Sequence, residues 1–284
     1  MLEPSLAAAD CHACDPEWGS FDTDGYGTEM AVLALYGDLL HPLMASEEIR
    51  LPHRLESVKI LPPEGQNQPD LYGALSAMAT SLVKVEAPGR PRVFSMAVTT
   101  PQFSDGGQPT SWSAAIDALA SGRRFDASSQ GLELIEQEAD VQRRLFVISA
   151  GNIPHERVAE AGAGYMDRCD VEVVQDPGQA WNPLTVGAYT KKVHLADADW
   201  EDYQPLAAEG DLYPWSCTGV AFEKEWPNTP EIVMEGGLQG AVYFIPALSQ
   251  AGHIGADLVG QNAAPGGTRR YVGGSAAPTA LSAA

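Results

Sequence analysis

Basic residues are scarce in this sequence. Its 284 residues include 17 lysines and arginines against 38 aspartates and glutamates, so the formal net charge is −21 at pH 7. A field of this sign repels phosphate backbones and anionic lipid headgroups. We therefore expect neither a nucleic acid nor a membrane surface among the partners of the chain.

Long apolar runs are missing as well. No stretch approaches the ~20 apolar residues that a membrane-spanning helix requires. The chain does not open with the charged and then apolar pattern of a secretory signal peptide. The sequence gives no support to export, and this favours the cytoplasm.

Cysteines are too few to form a disulfide framework: Cys11, Cys14, Cys169 and Cys217. The segment Cys11-His12-Ala13-Cys14 offers two thiolates and an imidazole, but a structural zinc site uses four ligands and no second pair exists. We expect no metal or other cofactor. The many carboxylates allow a structural calcium site, although no ligand spacing such as an EF-hand loop is present.

What the chain does contain is an alternation of strand-like and helix-like segments. Hydrophobic residues make up 44% of the sequence, which is enough for a globular core. Short apolar runs at 58–61, 93–98, 145–149 and 184–188 predict buried parallel strands, and residues 29–40, 71–86, 111–120 and, less clearly, 130–143 predict helices. This pattern predicts an α/β sandwich with a mainly parallel sheet and helices on both faces.

Three motifs carry the chemistry. Residues 24–31 read Asp-Gly-Tyr-Gly-Thr-Glu-Met-Ala, residues 145–152 form an apolar run that ends in Ser-Ala-Gly-Asn, and residues 273–278 read Gly-Gly-Ser-Ala-Ala-Pro. They resemble, in the same order, the base, oxyanion and nucleophile segments of subtilisin-like serine proteases (subtilases). Residues 182–188 and 231–237 resemble further segments of that family.

The resemblance implies a divergent, bacterial subtilase with a three-layer fold and peptide or protein substrates. It makes Ser275 the nucleophile and Asn152 the oxyanion donor, and it puts Tyr26 in the place of the base histidine. The strand at 93–98 would lead into an edge segment that pairs with extended substrate, with Thr99 and Thr100 lining the groove. For Asn152, a turn residue without a catalytic role remains an alternative.

Several departures from the family pattern bear on activity. A phenol, with an unperturbed pKa of ~10, is a poor base at neutral pH. His155, which follows Asn152 closely, could instead line the cleft. The usual aspartate turn is not found before Tyr26, and the segment around Ser275 is one residue short of the usual spacing to proline, which leaves a Gly/Ala-rich tail as the alternative for Ser275.

We therefore expect residues 1–284 to form a single catalytic domain that lacks the first strand and the end of the serine helix. Three hypotheses follow. The chain is a serine endopeptidase with little activity, a pseudoprotease that binds peptides without turnover, or a non-functional gene remnant.

Overall fold

The computed structural model describes residues 2, 5–23, 25–37, 46–103, 106–128, 131–135, 142–191, 193 and 205–236. The strands are β1 (Cys11–Ala13), β2 (Ser57–Lys59), β3 (Val93–Met96), β4 (Arg124–Ser128), β5 (Gly131–Ile135), β6 (Leu145–Ser149), β7 (Leu184–Tyr189) and β8 (Ile232–Glu235). The helices are α1 (Tyr26–Tyr36), α2 (Tyr72–Glu86), α3 (Ser111–Ala120), α4 (His155–Ala161) and α5 (Tyr165–Val171). Single 3₁₀ turns cover Ala8–Asp10, Pro16–Trp18, Pro69–Leu71, Pro101–Phe103 and Gly162–Gly164.

A parallel sheet of strand order β3-β6-β7-β8 forms the centre of the described fold. Met96 of β3 is in register with Ile148 of β6, and Ser149 of β6 with Val186 of β7. Strand β6 is buried on both faces from Phe146 to Ser149, as expected for a central strand of a parallel sheet. The strands predicted at 93–98, 145–149 and 184–188 are found here as β3, β6 and β7, although β3 is partly exposed, whereas the run at 58–61 belongs in part to β2 of a separate sheet and is only half-buried. The central sheet directs the carboxyl ends of β3 and β6 to the same edge.

Helices cover both faces of this sheet. On one face, Trp112 and Ile116 of α3 pack in one apolar cluster with Phe146 and Ile148. Val147 and Val186 point to the opposite face. There, Val158 of α4 and Cys169 of α5 belong to the cluster that contains Ala188, at the end of β7. The predicted three-layer α/β architecture is therefore confirmed.

Helices α2 and α3 lie close together because a glycine stands where they meet. A Cβ on Gly73 would lie 2.9 Å from the Cβ of Ala115, so a larger residue would push the helices apart. The rings of Tyr72 and Trp112 are in contact at 4.8 Å between centroids. The indole Nε1–H of Trp112 donates to Ser76 Oγ at 2.9 Å, so this buried polar group is satisfied.

A second, two-stranded parallel sheet joins β1 to β2. Ion pairs connect it to the rest of the domain. The guanidinium of Arg90 contacts Asp10 at 2.6 Å and Glu56 at 2.8 Å, and Arg92 also binds Glu56. These contacts anchor the start of β3 beside the small sheet.

The helix expected less clearly at 130–143 is wrong for residues 131–135, which form β5, and residues 130 and 136–141 lie outside the described residues. Strands β4 and β5 form an antiparallel pair with Ser128 opposite Gly131 and Arg124 opposite Ile135. The sequence Gly-Leu-Glu-Leu-Ile at 131–135 alternates apolar and polar residues with the period of a strand. Two residues separate the strands, a spacing typical of a hairpin.

No helix in the described parts of the chain is long and apolar enough to cross a membrane.

Candidate active site

Tyr26 is the first residue of α1, and the start of this helix is fixed by an aspartate. The backbone N–H groups of Gly25 and Thr28 donate to the Asp22 carboxylate at 3.1 and 2.6 Å. Gly25 precedes the helix with φ of 94°, a conformation that favours glycine. A carboxylate at this position also interacts favourably with the helix dipole. The Gly-Tyr-Gly-Thr motif is therefore held in place by Asp22.

Helix α1 lies beside the chain that leaves β3. Tyr26 and Ala97 are both half-buried, and both pack against the apolar cluster of Met30, Val32 and Leu33. Ala97 follows directly after the last residue of β3. The residue in the base position is thus joined through one cluster to the carboxyl end of the sheet.

Residues 97–100 form what we call the edge segment. Within the described residues, the backbone groups of Val98 and Thr99 have no backbone hydrogen-bond partner. Thr100 then pairs with Asp176, with N···O distances of 2.8 and 3.1 Å in the two directions. The edge segment is thus anchored at both ends, by β3 and by Asp176, and its centre presents unpaired backbone groups.

Strand β6 delivers Asn152 to the same edge of the sheet. Gly151, between them, has φ of 97°. Asn152 is half-buried and forms an antiparallel bridge with Ser216, and the N–H of Ile153 donates to the carbonyl of Trp215 at 2.9 Å. The Asn152 turn, residues 150–153, is therefore held by backbone pairing on its outer side.

Gln175 connects the Asn152 turn to the edge segment. Its Oε1 accepts from the hydroxyl of Thr99 at 2.7 Å, and its Nε2 donates to the carbonyl oxygen of Asn152 at 2.8 Å. A Cβ on Gly151 would lie 2.5 Å from Gln175 Cδ. The glycine is thus required both for its positive φ and for the close approach of this side chain.

Asp176 is a buried acid beside the edge segment. It accepts from the hydroxyl of Thr110 at 2.6 Å and from Nε2 of Gln179 at 3.2 Å. Burial raises the pKa of Asp176 to about 6, against the effect of these two hydrogen bonds. Thr110 also caps α3 by accepting from the N–H of Ser113 at 2.9 Å. Asp176 therefore joins the edge segment to the start of α3.

A groove of about 610 Å³ opens next to these residues. Tyr72 of α2 and Trp112 of α3 line one part of it, and Pro101, Gln102 and Asp176 line another. It therefore adjoins the end of the edge segment. A cavity of about 710 Å³ lies elsewhere, beside Tyr165 and Leu206, and none of its described lining residues belongs to the edge segment or the Asn152 turn.

The structure brings some of the predicted site residues into one region. Asn152 and Thr99 share Gln175 as a partner, and Tyr26 is placed near the edge segment through Ala97. Ser275 lies outside the described residues. His155 is the first residue of α4, three positions after Asn152.

The remaining histidines lie apart from these segments or outside the description. His12 belongs to β1 in the small sheet, and Nε2 of His53 lies 2.9 Å from the carbonyl oxygen of Ala34. His41, His194 and His253 fall outside the described residues. The imidazole of His53 therefore lies against α1.

The Cys-His-Ala-Cys segment is built into the small sheet. The Sγ of Cys14 lies 3.6 Å from the carbonyl oxygen of Leu75, and burial raises the pKa of the Cys14 thiol to about 11. Among the described residues, no group of three or more histidines, cysteines, aspartates or glutamates is placed to hold a metal ion.

Sequence reasoning missed Asp22, Gln175 and Asp176. The local signal for Asp22 is weak, because the residue lies four positions before Tyr26 and the N-cap position is occupied by Gly25. Gln175 and Asp176 have no comparable local signal because their partners are distant, at Thr99 and Thr110.

The profile of the subtilase family matches residues 2–284. A solved structure of a serine-to-alanine mutant of the protease domain of PatA is similar with a TM-score of 0.40 and 16% sequence identity. The similarity covers 92% of this chain and 63% of that chain. No curated protein matches at a significant level. Since the family profile matches nearly the whole sequence, the chain belongs to the subtilase family of serine proteases.

Proposed function

We propose that residues 1–284 form one subtilisin-like serine endopeptidase domain whose cleft binds an extended peptide. The peptide lies along the edge segment, and its carbonyl faces the Asn152 turn. Ser275 attacks that carbonyl, and the Asn152 side chain stabilises the developing oxyanion. Turnover is weak or absent because Tyr26 stands in the base position.

The observation that best supports this proposal is that the edge segment and the Asn152 turn both form a hydrogen bond with the side chain of Gln175. Unpaired backbone at Val98 and Thr99 is what an extended peptide needs for main-chain hydrogen bonding. Asn152 is tied to the same Gln175 side chain as Thr99. A peptide on the edge segment would therefore run next to the proposed oxyanion donor.

The groove beside α2 and α3 supports a peptide as the substrate. It adjoins Pro101 and Gln102, directly after the edge segment, and most of its lining surface is polar. A side chain of a peptide that extends past Thr100 would reach it. The net charge of −21 favours neutral or basic peptides over acidic ones.

The position of Tyr26 limits catalysis. A serine hydroxyl needs a neighbouring base to become a nucleophile, and a general base contributes ~10²–10⁴-fold to rate. In subtilisin itself, the founding member of the family, removal of the histidine costs on the order of 10⁶ in kcat. We transfer that magnitude as a guide to how slow this chain would be.

Labelling with a fluorophosphonate probe tests the proposal. We expect slow labelling of the full chain, no labelling of Ser275→Ala, and labelling at least about tenfold faster in Tyr26→His, since an imidazole restores part of the base contribution. Ser81→Ala, which removes an exposed serine on α2, is the matched control and should label like the parent. Equal labelling of Ser275→Ala and the parent would overturn Ser275 as the nucleophile.

The second candidate function is peptide binding without turnover. The observation that favours it is again Tyr26, fixed at the start of α1 by the Asp22 cap. In this case the parent chain does not label although it binds peptides. A sharp thermal unfolding transition of the unlabelled protein would separate this candidate from a gene remnant, which should unfold without cooperativity.

A further inference from the structure

Gln175 makes a contact at each end of its side-chain amide. One end binds Thr99, 76 positions away, and the other binds Asn152, 23 positions away. Its own backbone is fixed as well, because its N–H donates to the carbonyl of Ala150 at 2.9 Å. Three separate points on this residue are therefore held by the two segments that form the proposed cleft.

The chemistry of the partners fixes the orientation of the amide. A backbone carbonyl only accepts hydrogen bonds, so the NH₂ group must face Asn152. The amide oxygen then faces Thr99, whose hydroxyl can donate. A carboxylate at this position could serve Thr99 but not Asn152, and the two contacts can therefore be separated by substitution.

The side chain of Gln175 is closely packed. Gln175 is 9% exposed, and it lies directly against the Cα of Gly151, where any Cβ would collide with it at 2.5 Å. The side chain thus fills the space between the edge segment and the Asn152 turn.

We propose that Gln175 is a positioning residue of the peptide cleft: it fixes the distance between the edge segment that holds the peptide and the Asn152 turn that faces its carbonyl. The consequence for peptides rests on the proposed function. Oxyanion stabilisation requires donors within a few tenths of an ångström, and a misplacement of ~1 Å can cost ~10²-fold in rate.

Site-resolved hydrogen exchange on the full chain tests the positioning role without any activity. The reporters are the amides of Thr100 and Ile153, which donate to Asp176 and Trp215. In Gln175→Ala we expect both to exchange about tenfold faster, the effect of losing about one hydrogen bond at each site. The amides of Val147 and Val186 in the central sheet should not change.

Two further variants separate positioning from general destabilisation. Gln175→Glu keeps the acceptor for Thr99 but places an oxygen against the Asn152 carbonyl. Ile153 should then exchange faster while Thr100 stays within about twofold of the parent. Gln175→Met keeps the volume and loses both contacts, and it replaces the alanine variant if that one does not fold. Gln66→Ala, an exposed glutamine, is the control.

The outcomes are distinct from those of the proposed function. Unchanged exchange at Thr100 and Ile153 in both Gln175→Ala and Gln175→Met overturns the positioning role, whatever the protein does to peptides. A uniform rise that includes Val147 and Val186 also overturns it, because it shows only lost stability. Failure of the fluorophosphonate probe to label any variant counts against the proposed function and leaves the exchange result standing.

Discussion

Arg92 binds Glu56 through two guanidinium nitrogens and caps the end of helix α2 with the same group. Its Nη2 lies 2.9 Å from a Glu56 carboxylate oxygen and 2.7 Å from the carbonyl oxygens of Val83 and Ala87. The arginine side chain is 10% exposed and the glutamate 16%. The guanidinium thus donates hydrogen bonds to a carboxylate and to carbonyl groups at the end of a helix. It thereby holds the start of β3 against Glu56 and against α2.

Because this pair is largely buried, Arg92→Lys should destabilise the fold strongly. A lysine has one nitrogen and cannot reproduce the fork, which leaves the carbonyls of α2 and part of Glu56 without a donor. We expect the free energy of unfolding to fall by about 2–4 kcal/mol. Urea denaturation measures it. Arg50→Lys, at an exposed position, should change stability by no more than ~0.5 kcal/mol.

The raised pKa of the buried Asp176 predicts how the stability of the protein depends on pH. Its pKa is raised to about 6 in the folded protein from ~3.9 when unfolded, so the folded state binds more protons between these values. The contribution of Asp176 to stability therefore falls as pH rises from ~4 to ~6 and stays constant above, by on the order of 3 kcal/mol in total.

Asp176→Asn should remove this part of the pH profile. Unfolding free energies at several pH values, measured for both proteins, give the difference. If the variant shows the same dependence between pH 4 and 6 as the parent, Asp176 does not titrate as its buried position implies. Glu56 affects the pH dependence of stability in the opposite direction. Burial raises its pKa, but hydrogen bonds from Arg92 and Arg90 outweigh burial and lower it below the ordinary value. The contribution of Glu56 to stability is therefore lost as pH falls.

Gly151→Ala tests the close approach of Gln175. The new Cβ would meet the Gln175 side chain at 2.5 Å, on a backbone with φ of 97°. Gly210 is a matched control, since its φ is 93° and no atom lies within 4 Å of its Cβ position. We expect Gly210→Ala to cost about 1–2 kcal/mol from backbone strain alone.

At Gly151 the collision adds to that strain, and the total should exceed the cost at Gly210 by a further ~1–3 kcal/mol. Thermal and urea unfolding of the two variants give the comparison. Equal costs at the two positions would show that the Gln175 side chain moves aside freely. That result would also weaken its proposed positioning role.

Asp22→Ala should loosen the start of α1. The substitution removes the acceptor of the Gly25 and Thr28 N–H groups, and loss of a side-chain acceptor at a helix start costs about 1 kcal/mol, up to ~2. Asp15→Ala is the comparison, because Asp15 accepts from Glu17 N–H at 2.9 Å but caps only a 3₁₀ turn. We expect a smaller loss there, measured by thermal unfolding. A larger loss for Asp15 would contradict the importance of the α1 cap.

Local sequence patterns correctly predicted those helices and strands whose burial in the structure agrees with their hydrophobicity. The run 145–149 is apolar up to Ile148, and it becomes a strand that is buried on both faces from Phe146 to Ser149; residues 111–120 form a helix with the predicted bounds. Residues 131–135 were assigned wrongly to a helix because one weak helical pattern competed with strand alternation and a short turn. Pairing with β4 decided between them.

The sequence by itself determined the family, the parallel α/β sheet and the placement of Asn152 at the end of a central strand, because periodicity and short motifs are local properties. Only the tertiary structure decided that Gln175 joins Thr99 to Asn152 and that Asp176 is a buried acid. Those roles depend on segments that are far apart in the chain and adjacent in space, and no local pattern records such distances.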